Sequence, residues 1–220
     1  MELLQLSPRA QLRAGRLPRR LGQLMVGLTL YGISMAFMVR AGLGMLPWDV
    51  FHYGLAQHLP LSLGTVVIVV SVLVLVLWIP LRQQPGLGTV ANAVWIGVVL
   101  DVVLRVLPHP EQLAAQVLLM LAGIALNALA TALYIGSQLG PGPRDGLMTG
   151  LSRRTGLSLR LVRTGLEIAV VVAGVLLGGV LGVGTVLYAL LIGPLTQWLL
   201  PKVIVGLTPA RELGGVYSGV

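Results

Sequence analysis

Two short segments hold most of the side chains that could do chemistry. Pro47-Trp48-Asp49 and Pro143-Arg144-Asp145 each set a proline and an acid two residues apart, behind glycines and ahead of an amphipathic stretch. Proline suits the first turn of a helix, and an acid there can accept the free backbone N–H groups. Each motif therefore reads as a loop opening a short helix, which runs to about His58 or Arg154. Two readings of the aspartates stand side by side. Asp49 and Asp145 cap their helices, or they bind a cation or proton beside helix N-termini that attract anions. His52 and Tyr53 add a titratable ring and a phenol. Trp48 and His52 are four apart, as are Asp49 and Tyr53, so each pair shares a helical face. An aromatic belt at the membrane interface is the competing account of these rings.

The elements that hold these motifs follow from composition. Of 220 residues, 56% are hydrophobic and only 10% charged. A soluble domain carries about 25% charged residues. So few charges cannot cover a water-soluble surface, and the chain reads as an integral membrane protein. Six apolar stretches of roughly bilayer length run over 22–40, 62–81, 88–107, 112–137, 160–180 and 184–200. Cysteine is absent, and His52, His58 and His109 are scattered, so neither a thiolate nor a metal site is expected. No nucleophile–base pair or phosphate-cradling loop is visible, so no catalytic residue and no cofactor are expected and the chain does not read as an enzyme. The net charge of +8 would suggest nucleic acid in a soluble protein. Here the basic residues sit between apolar spans, and topology explains them instead.

Lys and Arg placement predicts orientation. With the amino terminus in the cytoplasm, thirteen basic residues fall inside and two, Arg40 and Arg105, outside. Both termini are expected in the cytoplasm. Residues 1–21 form a basic cytoplasmic segment that could also grip anionic lipid, each basic residue adding roughly 1 kcal/mol near the surface. Residues 207–220 form a cytoplasmic tail.

Between these ends the sequence repeats at an offset of 96 without gaps. Residues 43–64 match 139–160 at nine of 22 positions, including Pro47/Pro143 and Asp49/Asp145. Residues 86–101 match 182–197 at seven of 16, including Gly-Thr-Val twice. Residues 22–110 and 111–206 thus read as two three-helix repeats. Three crossings per repeat turn the second copy upside down. The charges agree: Arg144, Arg153, Arg154, Arg160 and Arg163 match Trp48, Gln57, His58, Gly64 and Val67. The expected fold is all-α and transmembrane, with six spans as two inverted repeats and short helices after the Pro-x-Asp loops. Inverted repeats are a hallmark of secondary transporters.

Within the spans, Tyr31 matches Asn127 and Asn92 matches Tyr188, a crossed set that pseudo-two-fold symmetry could cluster near the midplane. Interhelical hydrogen bonding is the alternative role, worth about 0.6–2 kcal/mol each. Glu167 lies one turn after Arg163, and Asp101 one turn before Arg105. Both spacings suit structural ion pairs, and Glu167 is the deeper and better proton-carrier candidate.

The segments Gly42 to Asp49, Gly142 to Gly150 and Gly184 to Leu195 resemble those of the YczE-type integral membrane proteins, a group related to the YitT family. The resemblance covers nearly the whole chain after its first twenty residues. It implies a bacterial multi-pass plasma-membrane protein and supplies no catalytic or substrate residues. From the repeats, the expected function is transport of a small molecule or ion at the repeat interface. Six spans are few for a rocking bundle, which points to a homodimer in the bilayer. A membrane scaffold docking a cytoplasmic partner on the basic surface is the alternative.

Overall fold

The computed structural model describes residues 7–207, and its regular structure there is entirely helical. In chain order the helices are α1 (Pro8–Arg13), α2 (Leu17–Ala41), α3 (Pro47–Ala56), α4 (Leu63–Trp78), α5 (Leu87–Val106), α6 (Leu113–Gly136), α7 (Pro143–Thr155), α8 (Leu159–Leu176) and α9 (Val183–Val203). Most of the expected carboxy-terminal tail, with Arg211, and the first six residues lie outside the described range.

Among the described residues four helices are long and apolar enough to cross a membrane: α2, α5, α6 and α9. They carry four of the six expected spans. The other two depart from that standard. Helix α4 is apolar but has 16 residues, about 24 Å at 1.5 Å per residue against a hydrocarbon core of about 30 Å. Helix α8 has 18 residues but carries Arg160, Arg163 and Glu167.

Local chemistry explains where the helices start. Pro47 and Pro143 open α3 and α7 as expected. Ser62 and Ser158, 96 apart, cap α4 and α8 by accepting from Thr65 N (3.2 Å) and Leu161 N (3.3 Å).

Positions 96 apart also take the same unusual backbone. Positive φ occurs at Gly42 (69°) and Gln138 (56°), at Gly44 (116°) and Gly140 (118°), and at Arg82 (52°) and Gly178 (85°). Two of these three pairs are not identical in sequence, so the shared trace runs further than the shared letters. Gly44 and Gly140 show why. A Cβ on Gly44 would meet Thr185 Oγ1 and the backbone of Gly182, and one on Gly140 would meet Thr89 Oγ1 and the backbone of Gly86. The loops seat reciprocally: Gly184 N donates to Leu43 O and Gly88 N to Leu139 O, both at 2.8 Å.

Packing has two parts. Helices α2 and α6 form the central pair, flanked by α5 against α2 and α9 against α6. Their core includes Leu24, Leu28, Met35, Met38, Leu100 and Ile124, all at most 2% exposed. A second core joins the short helices to α4 and α8 through Trp48, Val66, Val70, Trp78, Leu147, Met148 and Val162. Helices α4 and α8 both pack on α3 and α7, but α4 also packs closely on α5, whereas its counterpart α8 makes at most marginal contact with α9.

One basic residue of the amino-terminal segment, Arg20, differs from expectation, while Arg9, Arg13, Arg16 and Arg19 are exposed. The described part of the segment is α1 and the start of α2, and Arg20 is fully buried instead of facing lipid or water. Its Nε donates to Ser137 O (2.8 Å), one Nη to Gln138 O (2.7 Å) and the other to Gln11 O. The last carbonyls of a helix lack partners within it, and the guanidinium fork supplies them at the end of α6.

Candidate functional site

The first turn of α3 is closed. Pro47, Trp48, Asp49 and His52 are all buried, Asp49 to 1% and His52 to 0% exposure. A carboxylate only accepts, so the His52 ring Nδ1 carries the hydrogen that bonds Asp49 Oδ1 at 3.2 Å. The indole and imidazole lie 6.4 Å apart, as their shared face predicts. Trp48 is buried in the second core, so the interfacial belt is not its setting. Trp48 Nε1, Asp49 Oδ2 and His52 Nε2 have no protein partner among the described residues.

The first turn of α7 is open. Gly142, Pro143, Arg144 and Asp145 line a cavity of about 250 Å³. The Arg144 guanidinium lies 5.0 Å over the Trp48 ring and 3.7 Å from Asp49 Oδ1. The two Pro-x-Asp motifs therefore meet, second residue of one against second and third of the other. Asp145 is exposed to the cavity and accepts from Tyr134 OH at 2.6 Å. Neither aspartate caps its helix: the N-cap positions are Leu46 and Gly142, with no side-chain cap bond at either.

The remaining cavity wall comes from α2, α4, α5, α6, α8 and α9. Tyr31, Asn92, Tyr134 and Tyr188 line it together with Ser71, Thr131 and Gln197. Tyr188 OH donates to Asn127 Oδ1 (2.9 Å), and Asn127 Nδ2 donates to Ser34 Oγ (2.7 Å). Asn127 is fully buried behind the wall. Tyr31 and Tyr134 meet edge to face, 6.3 Å between centroids. The crossed set is gathered: Tyr31, Asn92 and Tyr188 at the cavity, Asn127 one bond behind.

Other candidates stand apart. Tyr53 and Glu167 do not line the cavity. Glu167 accepts from Arg163 Nε at 3.0 Å, one turn away, and Arg163 is the member that reaches the cavity wall. Asp101 does not pair with Arg105. Its carboxylate accepts from Gly64 N (2.8 Å) and from the Ser62 hydroxyl, at the start of α4. His58 Nδ1 lies 3.0 Å from Gly54 O, and no acid–histidine cluster suited to a metal occurs among the described residues.

Two residues of the site escape a reading by spacing. Tyr134 sits at the end of its span, where a phenol passes for an interfacial anchor, yet it holds Asp145. Trp78 Nε1 donates to Pro143 O at 2.9 Å, and its ring lies over Gly146. A signal for Trp78 exists in the repeat. Trp78 matches Gly174, while Gly146 matches Val50. Large and small exchange places between the copies.

Residues 18–201 match the model of a family described as a family of unknown function (DUF6198). The chain belongs to this family. It is 34% identical over 175 residues to the uncharacterized membrane protein YczE of Bacillus subtilis, covering 79% of this chain and 81% of that one. An uncharacterized protein of Haemophilus influenzae is 41% identical over 177 residues, covering 80% and 81%. The uncharacterized protein YyaS of Bacillus subtilis is 27% identical over 185 residues, covering 81% and 90%. No solved structure matches. The YczE-type resemblance is thus a family relationship, and the fold described above is that of a multi-pass membrane protein.

Proposed function

We propose that this chain is a transporter of a small polar solute in the bacterial plasma membrane, with both termini in the cytoplasm. In this reading all six long helices cross. Helix α4 spans a locally thinned bilayer, and α8 carries Arg163 and Glu167 as an ion pair. The two halves are inverted copies, and α3 and α7 are half-helices entering from opposite sides. One observation carries it: Arg144 of the second Pro-x-Asp motif lies over Trp48 and beside Asp49 of the first, at the wall of a cavity that Tyr31, Asn92, Tyr134, Asp145 and Tyr188 also line. Discontinuous helices meeting at a midplane cavity between repeats are the common site design of secondary transporters. Polar groups at membrane depth are costly, and such a concentration points to a pathway.

The test uses accessibility. The chain has no cysteine, so single cysteines at Tyr53 and at its repeat counterpart Thr149 can be labelled cleanly. Alternating access requires the two sites to respond in opposite senses to a solute or ion gradient. Labelling unchanged under every gradient would sink the transport reading.

A scaffold is the second reading. Arg153, Arg154 and Arg160 are exposed together at the α7–α8 corner and could dock an acidic cytoplasmic partner. Crosslinking from membranes that recovers a stoichiometric partner would favour it, and a partner lost on changing these three to Gln would establish the surface.

A further inference from the structure

The charges of the cavity narrow the solute to one class. Arg144 and Asp145 are neighbours in sequence and line the same cavity, yet no ion pair within 4.0 Å joins them. Each keeps hydrogen-bonding capacity. Arg144 donates no hydrogen bond among the described residues, because its approach to Asp49 at 3.7 Å is too long for one. Its guanidinium carbon lies 5.0 Å over the Trp48 ring, a cation–π contact that uses no N–H. Asp145 gives one oxygen to Tyr134 OH and leaves the other free. The second cation of the wall, Arg163, is committed to Glu167 at 3.0 Å. The N-cap of α7 is Gly142, which has no side chain to occupy the first-turn N–H groups.

We propose that the cavity takes a small zwitterion: a carboxylate held by Arg144 and the uncapped start of α7, and an ammonium held by Asp145. A pure anion would leave Asp145 without a partner, and a pure cation would leave the Arg144 N–H groups without one. A molecule carrying both charges meets both groups. Tyr31, Tyr134 and Tyr188 present rings and hydroxyls where the ammonium end would lie, and aromatic faces favour such cations. A cavity of about 250 Å³ has room for an amino acid or betaine with a short side chain. The volume is generous for a bare metal ion, which would need several oxygens drawn close around it.

This inference rests on the transport reading of the cavity, and the experiment separates the two. The full chain in nanodiscs is melted with three panels: neutral amino acids and glycine betaine, amino-acid methyl esters, and N-acetyl amino acids. The expected result is that a short zwitterion raises Tm and that its ester and N-acetyl forms bind at least about 30-fold more weakly, the usual loss when one partner of a desolvated charge pair is missing. Asp145→Asn should narrow the gap between the zwitterion and its N-acetyl form. Arg144→Gln should narrow the gap to the ester. These crossed losses of discrimination are not produced by mere instability, which would lower all melts alike. Stabilisation by esters only or by N-acetyl forms only overturns the zwitterion class. If cysteines at 53 and 149 still respond to that compound, transport survives. Silence from all three panels, with unchanged labelling, overturns both.

Discussion

The two Pro-x-Asp motifs begin from nearly the same letters and end in opposite environments. At α3 the tryptophan, aspartate and histidine are sealed in a core. At α7 the arginine and aspartate face a cavity. The difference lies in what packs over each half-helix. Helix α8 presents Gly174 to α3, so close that a Cβ there would strike the backbone of Val50 and Phe51. Helix α4 presents Trp78 to α7, and the indole takes the space that a side chain at Gly146 would need. One copy is closed by backbone against backbone. The other is propped by an aromatic ring bonded to Pro143 O. The neighbours differ too: α4 packs closely on α5 while α8 makes at most marginal contact with α9, and the cavity wall includes residues from both α8 and α9. Duplicated segments can thus keep one backbone design and divide the labour, one copy locking the fold and the other lining the site.

Breaking the prop should have the largest effect. Trp78→Ala removes a ring that is 2% exposed, together with its bond to Pro143 O. Truncations of this kind cost about 3–5 kcal/mol. A large drop in melting temperature is expected, with loss of any ligand response, and a melt within a degree of wild type would contradict the propping role. Next comes the closed side. Gly174→Ala forces α8 away from α3, an overpacking that costs about 1–3 kcal/mol. Gly165→Ala on the same helix meets nothing within 4 Å and should leave the melt unchanged or slightly raised. Equal effects at the two glycines would refute the close-approach argument.

Smaller changes sharpen the contrast between the aspartates. Asp49→Asn keeps the shape but removes the charge that faces Arg144 and accepts from His52, for an expected loss of about 1–3 kcal/mol. Asp145→Asn, exposed to the cavity, should stay within about 0.5 kcal/mol. Parallel melts decide, and the reverse order would mean that the open and closed assignments are exchanged. The smallest effect concerns the backbone. Arg82 is exposed and holds φ of 52°, where its repeat counterpart is Gly178. Arg82→Gly relieves the left-handed strain and gives back part of it as chain entropy, a net gain of about 0.5 kcal/mol. A destabilised variant would show that the Arg82 side chain makes a compensating contact.

Much of this protein was legible before any coordinates. Hydropathy placed the long helices within a few residues, because burial in lipid demands apolar runs of set length. Proline marked the starts of α3 and α7, because it has no N–H to leave unpaired in a first turn. The offset of 96 located both motifs and paired Tyr31, Asn92, Asn127 and Tyr188. The roles within these groups were not legible. Arg20 counts as a surface charge in any tally of basic residues, and only the carbonyls at the end of α6, over a hundred residues away, make it a buried latch. Asp101 has an arginine at helical spacing, yet it turns to the start of α4. Tyr134 and Trp78 join the site through partners on other helices. Spacing along a chain reports which residues share a face of one helix. Which of two equivalent motifs is sealed and which is open depends on side-chain volume between helices, and that is decided when Gly174 lets α8 close on α3 and the Trp78 ring fills the space between α4 and α7.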